Sequence, residues 1–247
     1  MRTIVVPTDC SALSREALRY ADRIADRTSA TVVAVYGTAF SARLEGEGVA
    51  GSLASRQDLE SMVMPIRSCV EDTIRQSLSD ATQHDVVIDD CQPADAIISV
   101  ANKRDADLII MGTHDRNRLT RAVLGSVTDS VLHHTRRPVL ILREHSNVAT
   151  RPIRRILCPH RQTAPSAAAI REAKKLAELL GAELTLYDLA EDRTDVARKI
   201  LLRAEDNHAD LIVIGTSHRR FSDPSEIGRP ASEIVRMAYC PVLTVCG

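Results

Sequence analysis

The chain has 247 residues, 44% of them hydrophobic, which suffices for one or two domains with ordinary cores. It contains no Trp, two Phe and four Tyr, so its cores must be built from Ala, Val, Leu and Ile. A net charge of -1 creates no field that attracts nucleic acid or an anionic membrane surface, and the composition therefore predicts neither partner.

The N-terminus and the cysteines predict a cytoplasmic protein. The opening MRTIVVPTDCS enters a strand without signal-peptide features, and no apolar run reaches the roughly 18 residues of a membrane helix. The six cysteines form no CxxC pair and no zinc-ligand spacing. We therefore expect reduced thiols and no metal site.

The first residues alternate between strand and helix patterns. Ile4–Val6 is an apolar run, and Ser11–Thr28 carries apolar residues at helical spacing. Thr31–Tyr36 is apolar on both faces, as in a parallel strand that helices cover on both sides. The Gly- and Ser-containing stretch Thr38–Ser55 is predicted to be a loop and a candidate lid.

The same alternation continues to residue 144. Because parallel strands need crossovers of a dozen or more residues, it predicts a doubly wound parallel sheet of about five strands. The predicted elements are a helix with Pro65 in its first turn that runs to about Thr82, a strand Val86–Ile88, a helix Ala94–Lys103 opened by Pro93, a strand Leu108–Met111 and a last strand after Pro138.

A second domain is predicted after the polar segment His145–Pro152, which has the composition of a linker. The predicted domains are therefore residues 1–144 and 153–247. The second domain again starts with a strand and an amphipathic helix, Ser166–Leu180, with Thr163 as its N-cap.

The two domains are predicted to be unequal copies of one unit. Pro7 and Pro159 end similar strands and lie 152 positions apart, whereas ADLIIMGTHDR at Ala106 and ADLIVIGTSHR at Ala209 lie 103 positions apart and agree at seven of eleven positions. The difference of 49 residues predicts that the second copy lacks a loop, one helix and one strand. Two like domains in one chain usually pack as a pseudo-twofold dimer, so we expect an intramolecular pseudo-dimer.

The stretch Ala106–Leu142 carries the most specific chemistry. A strand ends at Met111, Gly112 and a polar loop follow, and Gly125 and Ser126 open a helix. A loop that leads from a parallel strand into a helix N-terminus is where α/β proteins bind phosphate groups. The chain has neither GxGxxG after its first strand nor GxxxxGK[ST], which argues against a dinucleotide-binding domain and a P-loop NTPase.

Together, PTDCS at Pro7, the spaced Gly112 and Gly125-Ser126, VTDSVL and RRPVLIL resemble the universal stress protein family. The resemblance covers essentially the whole chain as a tandem pair with an abbreviated second copy. It implies an α/β fold of two open parallel sandwiches of the adenine nucleotide alpha hydrolase-like type, with strand order 3-2-1-4-5. The second copy would lack one strand and one helix.

The resemblance also implies a nucleotide site. In nucleotide-binding members the second loop reads G-x2-G-x9-G-[S/T], the carboxylate of the PTD turn faces the nucleoside, and a valine at the end of the second strand lies against adenine. The implied ligand is ATP or AMP, with or without Mg²⁺, at the carboxyl ends of strands one and four. The candidate nucleotide-binding residues are Pro7, Thr8, Asp9, Val35, Gly112, Asp115, Gly125, Ser126 and Val127.

One residue of this loop departs from the family pattern. Asp115 stands where nucleotide-binding members have their second glycine, and its carboxylate would repel phosphates. Arg116, Arg118 and Arg121 either compensate with positive charge or form a solvated loop face.

The second copy departs further. Arg161 replaces Asp9, and Arg229-Pro230 replaces Ser126-Val127, so we expect no nucleotide there. A basic cluster in this copy either binds another anion or is a solvated rim; its members are His160, Arg161, His218, Arg219, Arg220 and Arg229.

No catalytic residue is predicted, because the chain has no GxSxG, HExxH or SGGxDS motif. Slow nucleotide hydrolysis stays open.

Two functions remain. In the first, the N-terminal copy binds a nucleotide and signals to an unknown protein partner through the loop Thr38–Ser55. In the second, a nucleotide-free stress protein acts through dimerisation, as a homodimer or within one chain, and through protein contacts.

Overall fold

A computed structural model describes residues 1–39, 56–113, 124–143, 152–189, 194–217 and 229–247, with the side chains of residues 56–60 and 229 left out. Within these ranges the chain forms nine strands and seven helices. It divides into two compact units, Met1–Ile110 and Met111–Gly247. No helix in the described ranges is long and apolar enough to cross a membrane.

Strands and helices alternate along most of the chain. The strands are β1 (Thr3–Pro7), β2 (Thr31–Gly37), β3 (His84–Asp89), β4 (Leu108–Thr113), β5 (Val139–Arg143), β6 (Arg155–His160), β7 (Glu183–Asp188), β8 (Leu211–Thr216) and β9 (Val242–Cys246). The helices are α1 (Ala12–Thr28), α2 (Arg56–Arg75), α3 (Pro93–Lys103), α4 (Ser126–His134), α5 (Ala164–Leu180), α6 (Val196–Asp206) and α7 (Arg229–Met237).

The first copy has the strand order β3-β2-β1-β4-β5, which confirms the predicted 3-2-1-4-5. β1 lies between β2 and β4 and is parallel to both, with Val5 opposite Val33 on one side and Ile109 on the other. All three side chains are buried. Strands that are apolar on both faces are therefore covered on both faces, as expected for a parallel sheet.

The second copy has the order β9-β8-β6-β7, and these strands are parallel to one another. They correspond to β5, β4, β1 and β2 of the first copy. Within the described ranges the second copy has no counterpart of β3 or α2. The loss of one strand and one helix, predicted from the 49-residue difference in spacing, is confirmed.

β5 and β9 pair antiparallel within the unit Met111–Gly247. Leu140 lies opposite Leu243, which is its own counterpart 103 positions later. A residue opposite its own counterpart marks a local twofold axis, the symmetry of an isologous contact. The flanking pairs exchange partners as this axis requires, Val139 with Thr244 and Ile141 with Val242.

Side-chain caps begin the first helix of each copy. The N-cap predicted at Thr163 is confirmed, because its Oγ1 accepts a hydrogen bond from Ser166 N at 3.4 Å. Ser11 does the same for α1, accepting from Ser14 N at 3.2 Å. Gly181 ends α5 at a φ of 64°, a conformation that glycine adopts without Cβ strain.

The boundaries predicted for the helix before β3 are wrong at both ends. α2 begins at Arg56 and ends at Arg75, so Pro65 lies inside the helix and not in its first turn. An internal proline removes one helical hydrogen bond, but burial of an apolar face stabilises a helix more than local propensity does. Val70 and Ile74 supply that buried face.

α2 stops short of Thr82 because the polar residues beyond it bond to α1. Asp22 Oδ1 accepts hydrogen bonds from Ser79 N at 3.0 Å and from Thr82 Oγ1 at 2.6 Å. Ser79 Oγ also donates to this oxygen, at 3.1 Å. One carboxylate thus holds a turn that the helical pattern alone does not reveal.

Two predicted segments lie largely outside the described residues. They are the candidate lid Thr38–Ser55, described only at residues 38 and 39, and the linker His145–Pro152, described only at residue 152. The domain boundaries 1–144 and 153–247 stay predictions, since the division into compact units falls inside β4.

The shortening of the second copy exposes its second strand. In β2, Val32 and Ala34 are fully buried. Their counterparts in β7 are Leu184, which is half-buried, and Leu186, which is 43% exposed. The second copy therefore presents an apolar strand that the first copy covers.

One aspartate in each copy binds the start of the first strand. Asp107 Oδ2 accepts from Thr3 N at 3.1 Å, and Asp107 N donates to Thr3 O at 3.0 Å. In the second copy, Asp210 Oδ2 accepts from Arg154 N at 2.8 Å and Arg155 N at 2.9 Å. The repeated Ala-Asp-Leu of the sequence therefore serves strand pairing.

Replacing Asp210 by alanine removes the acceptor of two strand N–H groups. We expect Asp210→Ala to lower the free energy of unfolding by about 1–2 kcal/mol, measured by urea denaturation followed by circular dichroism. Asp26→Ala, at an exposed position of α1, is the control and should change it by less than about 0.5 kcal/mol. Equal effects of the two substitutions would contradict this role.

Candidate functional site

The predicted site residues form two groups, one in each compact unit. The unit Met1–Ile110 contains Pro7, Thr8, Asp9 and Val35. The unit Met111–Gly247 contains Gly112, Gly125, Ser126 and Val127. Four predicted residues of the second loop lie outside the described ranges: Asp115, Arg116, Arg118 and Arg121.

The turn between β1 and α1 is held by its own side chains. Thr8 is buried, and its Oγ1 accepts from Cys10 N at 3.1 Å and donates to Ser14 Oγ at 3.2 Å. Asp9 Oδ1 accepts from Ser11 N at 3.0 Å. Thr8 thus supports the turn from inside, whereas Asp9 is an exposed residue.

Val35 positions this turn through its backbone. Its carbonyl oxygen accepts a hydrogen bond from Thr8 N at 2.9 Å, and it lies opposite Pro7 in the sheet. The Val35 side chain is only 1% exposed, and β2 continues to Gly37. Contact between Val35 and adenine stays a prediction.

The second group lies where β4 ends and α4 begins. Gly125 N donates to Thr113 Oγ1 at 3.3 Å, and Thr128 Oγ1 donates to Gly112 O at 3.5 Å. Both threonines are buried and fix the helix start against the strand end. Neither threonine stands out in the sequence as a site residue, although Gly-Thr recurs in the second copy at Gly215.

The first turn of α4 presents main-chain donors. Gly125 is the N-cap residue and has no side chain that could accept from the helix, and Ser126 is exposed. The first N–H groups of a helix have no partner within it and lie at the positive end of its dipole. This arrangement suits an anion such as a phosphate group.

Nothing in the described protein requires glycine at position 125. Its φ is −59°, outside the left-handed region. Among the described residues, a Cβ at this position would meet only Thr113 Oγ1, at 3.7 Å, which is ordinary van der Waals contact. A close approach by a ligand is therefore a remaining reason for a glycine here.

Gly215, the counterpart of Gly112 at the end of β8, is a glycine with a packing cause. A Cβ on Gly215 would meet Pro165 O at 2.2 Å and Ser166 N at 2.8 Å, both at the start of α5. Gly247 approaches the same residue, with Pro165 Cα 2.5 Å from an added Cβ. Helix backbone thus packs directly on the ends of β8 and β9.

The second copy also lacks the carboxylate acceptor of Asp9 and one of the N–H donors found at the helix start in the first copy. Arg161, in place of Asp9, donates its N–H to Ser166 Oγ at 3.0 Å. α7 begins at Arg229, and Pro230 in its first turn has no N–H to offer. The residues 218–220, which complete the predicted basic cluster, lie outside the described ranges, so the choice between an anion site and a solvated rim stays open.

The six cysteines are all described, and all are free thiols. Burial raises the pKa of Cys158 to about 12, which keeps this thiol protonated at neutral pH. In the part of the chain that the structure describes, no three His, Cys, Asp or Glu side chains form a group that could hold a metal ion.

The universal stress protein family model matches residues 1–143 and 188–245. The chain belongs to the universal stress protein family. The two matched segments are consistent with a tandem arrangement whose second copy is shortened.

Individual universal stress proteins are similar to parts or all of this chain. Universal stress protein MJ0531 of Methanocaldococcus jannaschii is 30% identical over 147 residues, which are 58% of this chain and 82% of that protein. A crystal structure of a universal stress protein from Archaeoglobus fulgidus has 17% identity and a TM-score of 0.74, covering 99% of this chain and 96% of that one. At this identity the likeness establishes the fold alone.

The two glycines should respond differently to the same substitution. We expect Gly215→Ala to lower the free energy of unfolding by about 1–3 kcal/mol, because the added methyl group overlaps helix backbone. Gly125→Ala should leave it unchanged or raise it by up to about 1 kcal/mol, because its backbone conformation suits alanine. Urea denaturation of both variants measures the difference, and a loss at Gly125 as large as at Gly215 would contradict it.

Proposed function

We propose that the first copy of this universal stress protein binds an adenosine nucleotide, ATP or AMP, as part of a stress-response signalling function. The observation that carries the proposal is Gly125. It is a glycine without a backbone or described packing cause, at the N-terminus of a helix whose first N–H groups are uncapped by any described side chain.

The strand order supports this location. Open parallel sheets bind ligands beyond the carboxyl ends of their strands, at the point where the strand order reverses. In the order β3-β2-β1-β4-β5 this point lies between β1 and β4. In the proposed complex the N–H groups of Ser126 and Val127 bind phosphate oxygens.

Family members with nucleotides are known as solved structures. A universal stress protein from Archaeoglobus fulgidus is described in complex with dAMP, and another universal stress protein in complex with cAMP. Their TM-scores to this chain are 0.40 and 0.39, so the proposal rests on this chain's own residues and not on that likeness.

The competing function is a nucleotide-free stress protein that acts through dimerisation and protein contacts. Two observations favour it: the β5–β9 pairing about a local twofold axis, and the exposed apolar side of β7. Asp115 supports it as well. Its repulsion of a phosphate charge about 4 Å away would amount to about 1 kcal/mol in water and about 4 kcal/mol at an effective dielectric constant near 20.

In either function we propose a cytoplasmic protein whose two copies form an intramolecular pseudo-dimer, with neither nucleic acid nor membrane as a partner. The proposed role is binding without catalysis. Mg²⁺ would accompany ATP through the phosphate oxygens, since within the described ranges the protein offers no cluster of metal-binding side chains.

Nucleotide that copurifies with the protein provides the first test. The purified chain is denatured, and the supernatant is analysed for adenine nucleotides by chromatography. Nucleotide at close to one per chain supports the proposal. An empty supernatant, combined with no thermal shift in millimolar ATP and Mg²⁺, would refute it and leave the protein-contact function.

Calorimetric titration of variants with ATP and with AMP locates the site. We expect Gly125→Ala to weaken binding about tenfold or more, because a Cβ there occupies the space of a phosphate oxygen. Ser126→Ala should weaken it less. Arg229→Ala, at the counterpart of Ser126 in the second copy, is the matched control and should bind like the natural chain. If Arg229→Ala weakened nucleotide binding and the variants of the first copy did not, the ligand would bind in the second copy, and the proposal would be wrong.

Asp115→Gly tests the effect of the loop carboxylate. We expect this variant to bind ATP more tightly than the natural chain, and to gain less for AMP, which carries fewer phosphate charges. An unchanged ATP affinity would remove Asp115 as a cause of weak binding. Phosphate release from ATP that Gly125→Ala abolishes would add slow hydrolysis to the function.

A further inference from the structure

β7 is the end strand of its sheet and has one open edge. In the unit Met111–Gly247 the strand order is β5-β9-β8-β6-β7, and among the described residues β6 is the only strand that pairs with β7. Glu183 N donates to Arg154 O at 2.8 Å, on the β6 side. Because main-chain groups alternate in direction along a parallel strand, those of Leu184 and Leu186 face the open edge.

The first copy covers the same edge with a strand. β3 lies along β2 there, and Val32 N, the counterpart of Leu184 N, donates to Gln83 O at 2.9 Å. Within the described ranges the second copy has no counterpart of β3. Its shortening therefore removed the strand that would bind the outward N–H and C=O groups of β7.

β7 also lacks the features by which edge strands usually avoid pairing, which are Pro, Lys or a bulge. It contains neither Pro nor Lys, and its six residues pair one to one with β6, so it has no bulge. Leu186 is 43% exposed, and among the described residues it is the only large apolar side chain that a strand exposes to this degree. An edge of this kind is a template for another strand.

We propose that β7 pairs antiparallel with β7 of a second copy of this chain, with Thr185 on the twofold axis. An axis perpendicular to the sheet keeps every side chain on its own face, so the residue on the axis lies opposite itself. β5 and β9 pair in this manner, with Leu140 opposite its counterpart Leu243. The contact joins two chains and holds whether or not the protein binds a nucleotide.

The apolar side chains of the two strands match in this register. Leu184 of each chain lies opposite Leu186 of the other, so the pair occurs twice and removes exposed apolar surface from water. The same two residues direct their main-chain groups toward the open edge. Each of the two pairs therefore exchanges both of its N–H···O bonds across the interface.

The opposite face of the strands brings opposite charges together. Glu183 of each chain lies opposite Tyr187 of the other chain. Within one chain, Arg203 Cζ lies 5.8 Å from the centre of the Tyr187 ring. Glu183 and Arg203 are both exposed, so the pairing places each carboxylate beside a guanidinium of the other chain.

Neighbouring registers about the same kind of axis match less well. With Leu186 on the axis, Leu184 lies opposite Asp188, which sets an apolar side chain against a carboxylate. With Leu184 on the axis, Leu186 lies opposite Ala182, and Glu183 no longer lies opposite the tyrosine. β7 is thus self-complementary about Thr185, and this favours a second copy of the chain over an unrelated strand as its partner.

Sedimentation equilibrium of the full-length chain over a wide concentration range tests the proposal. We expect a monomer–dimer equilibrium, and we expect Leu186→Lys to weaken the dimer about tenfold or more, because it places a charge at each leucine pair. Met237→Lys is the matched control, since Met237 is 47% exposed and precedes β9, at the other end of the order β9-β8-β6-β7. Its dimer should be as stable as that of the natural chain.

Two outcomes of this experiment would overturn the proposal. One is a natural chain that stays monomeric at every concentration. The other is a dimer that Leu186→Lys leaves unchanged, because another surface or another occupant of the edge would then account for the association. Circular dichroism of each variant checks that the fold is kept.

Charge reversal tests the two predicted ion pairs. Glu183→Arg and Arg203→Glu should each weaken the dimer about tenfold, because each sets like charges side by side. The double variant restores opposite charges and should recover most of the lost affinity. A double variant as weak as the two single variants would contradict the pairing of these residues.

Thr185→Cys measures the register directly. Opposite Cα atoms of a non-hydrogen-bonded antiparallel pair are about 4.5 Å apart, within the range that a disulfide needs. Mild oxidation should therefore link two chains through the introduced thiols, as peptide mapping identifies, and dithiothreitol should separate them. The natural chain, oxidised in the same way, is the control for its own six cysteines. Linkage through Leu184→Cys or Leu186→Cys, but not through Thr185→Cys, would overturn the proposed register.

Discussion

The parallel pairing of β1 with β4, repeated in the second copy by β6 with β8, organises both copies of this chain. Ile4 lies opposite Leu108 in the first copy, and Ile156 lies opposite Leu211 in the second. In each copy an aspartate just before β4 or β8 accepts hydrogen bonds from N–H groups at the start of β1 or β6. These bonds fix the register of the two paired strands at their amino ends. The strand order reverses beside this pair, and that reversal creates the place where parallel sheets bind ligands.

Two glycines of the repeated motif have different surroundings: Gly215, which is the counterpart of Gly112, and Gly125, whose counterpart Gly228 lies outside the described residues. Gly215 is required because the start of α5 lies against it, with a backbone oxygen 2.2 Å from an added Cβ. Gly125 meets no such atom among the described residues and has an ordinary backbone conformation. A repeated glycine motif is therefore weak evidence for a site until the contacts of each glycine are known. The packing of α5 accounts for Gly215 without a ligand, whereas no contact among the described residues accounts for Gly125.

The sequence predicted the features that depend on local chemistry. The β-strands were recognisable as apolar runs, and Thr163 as a cap, because both signals lie within a few residues. The helix containing Pro65 was misjudged because its stability depends on burial of Val70 and Ile74, which no local pattern reports. Thr113 and Thr128 escaped notice because their partners are 12 and 16 positions away in the chain. The loop with Asp115 lies outside the described residues, so the effect of this carboxylate on nucleotide binding stays a prediction.

The losses in the second copy follow a consistent pattern. It keeps what a sheet needs: the apolar strands, the Asp210 hydrogen bonds, and a β9 strand whose Leu243 pairs with its own counterpart Leu140. It lacks two features of the nucleotide site proposed in the first copy, because an arginine replaces Asp9 and Pro230 removes a helix donor. Selection for folding would retain the first set, whereas only selection for a ligand would retain the second. The exposed apolar strand β7 is a consequence of the shortening of the second copy, and the first copy does not share it.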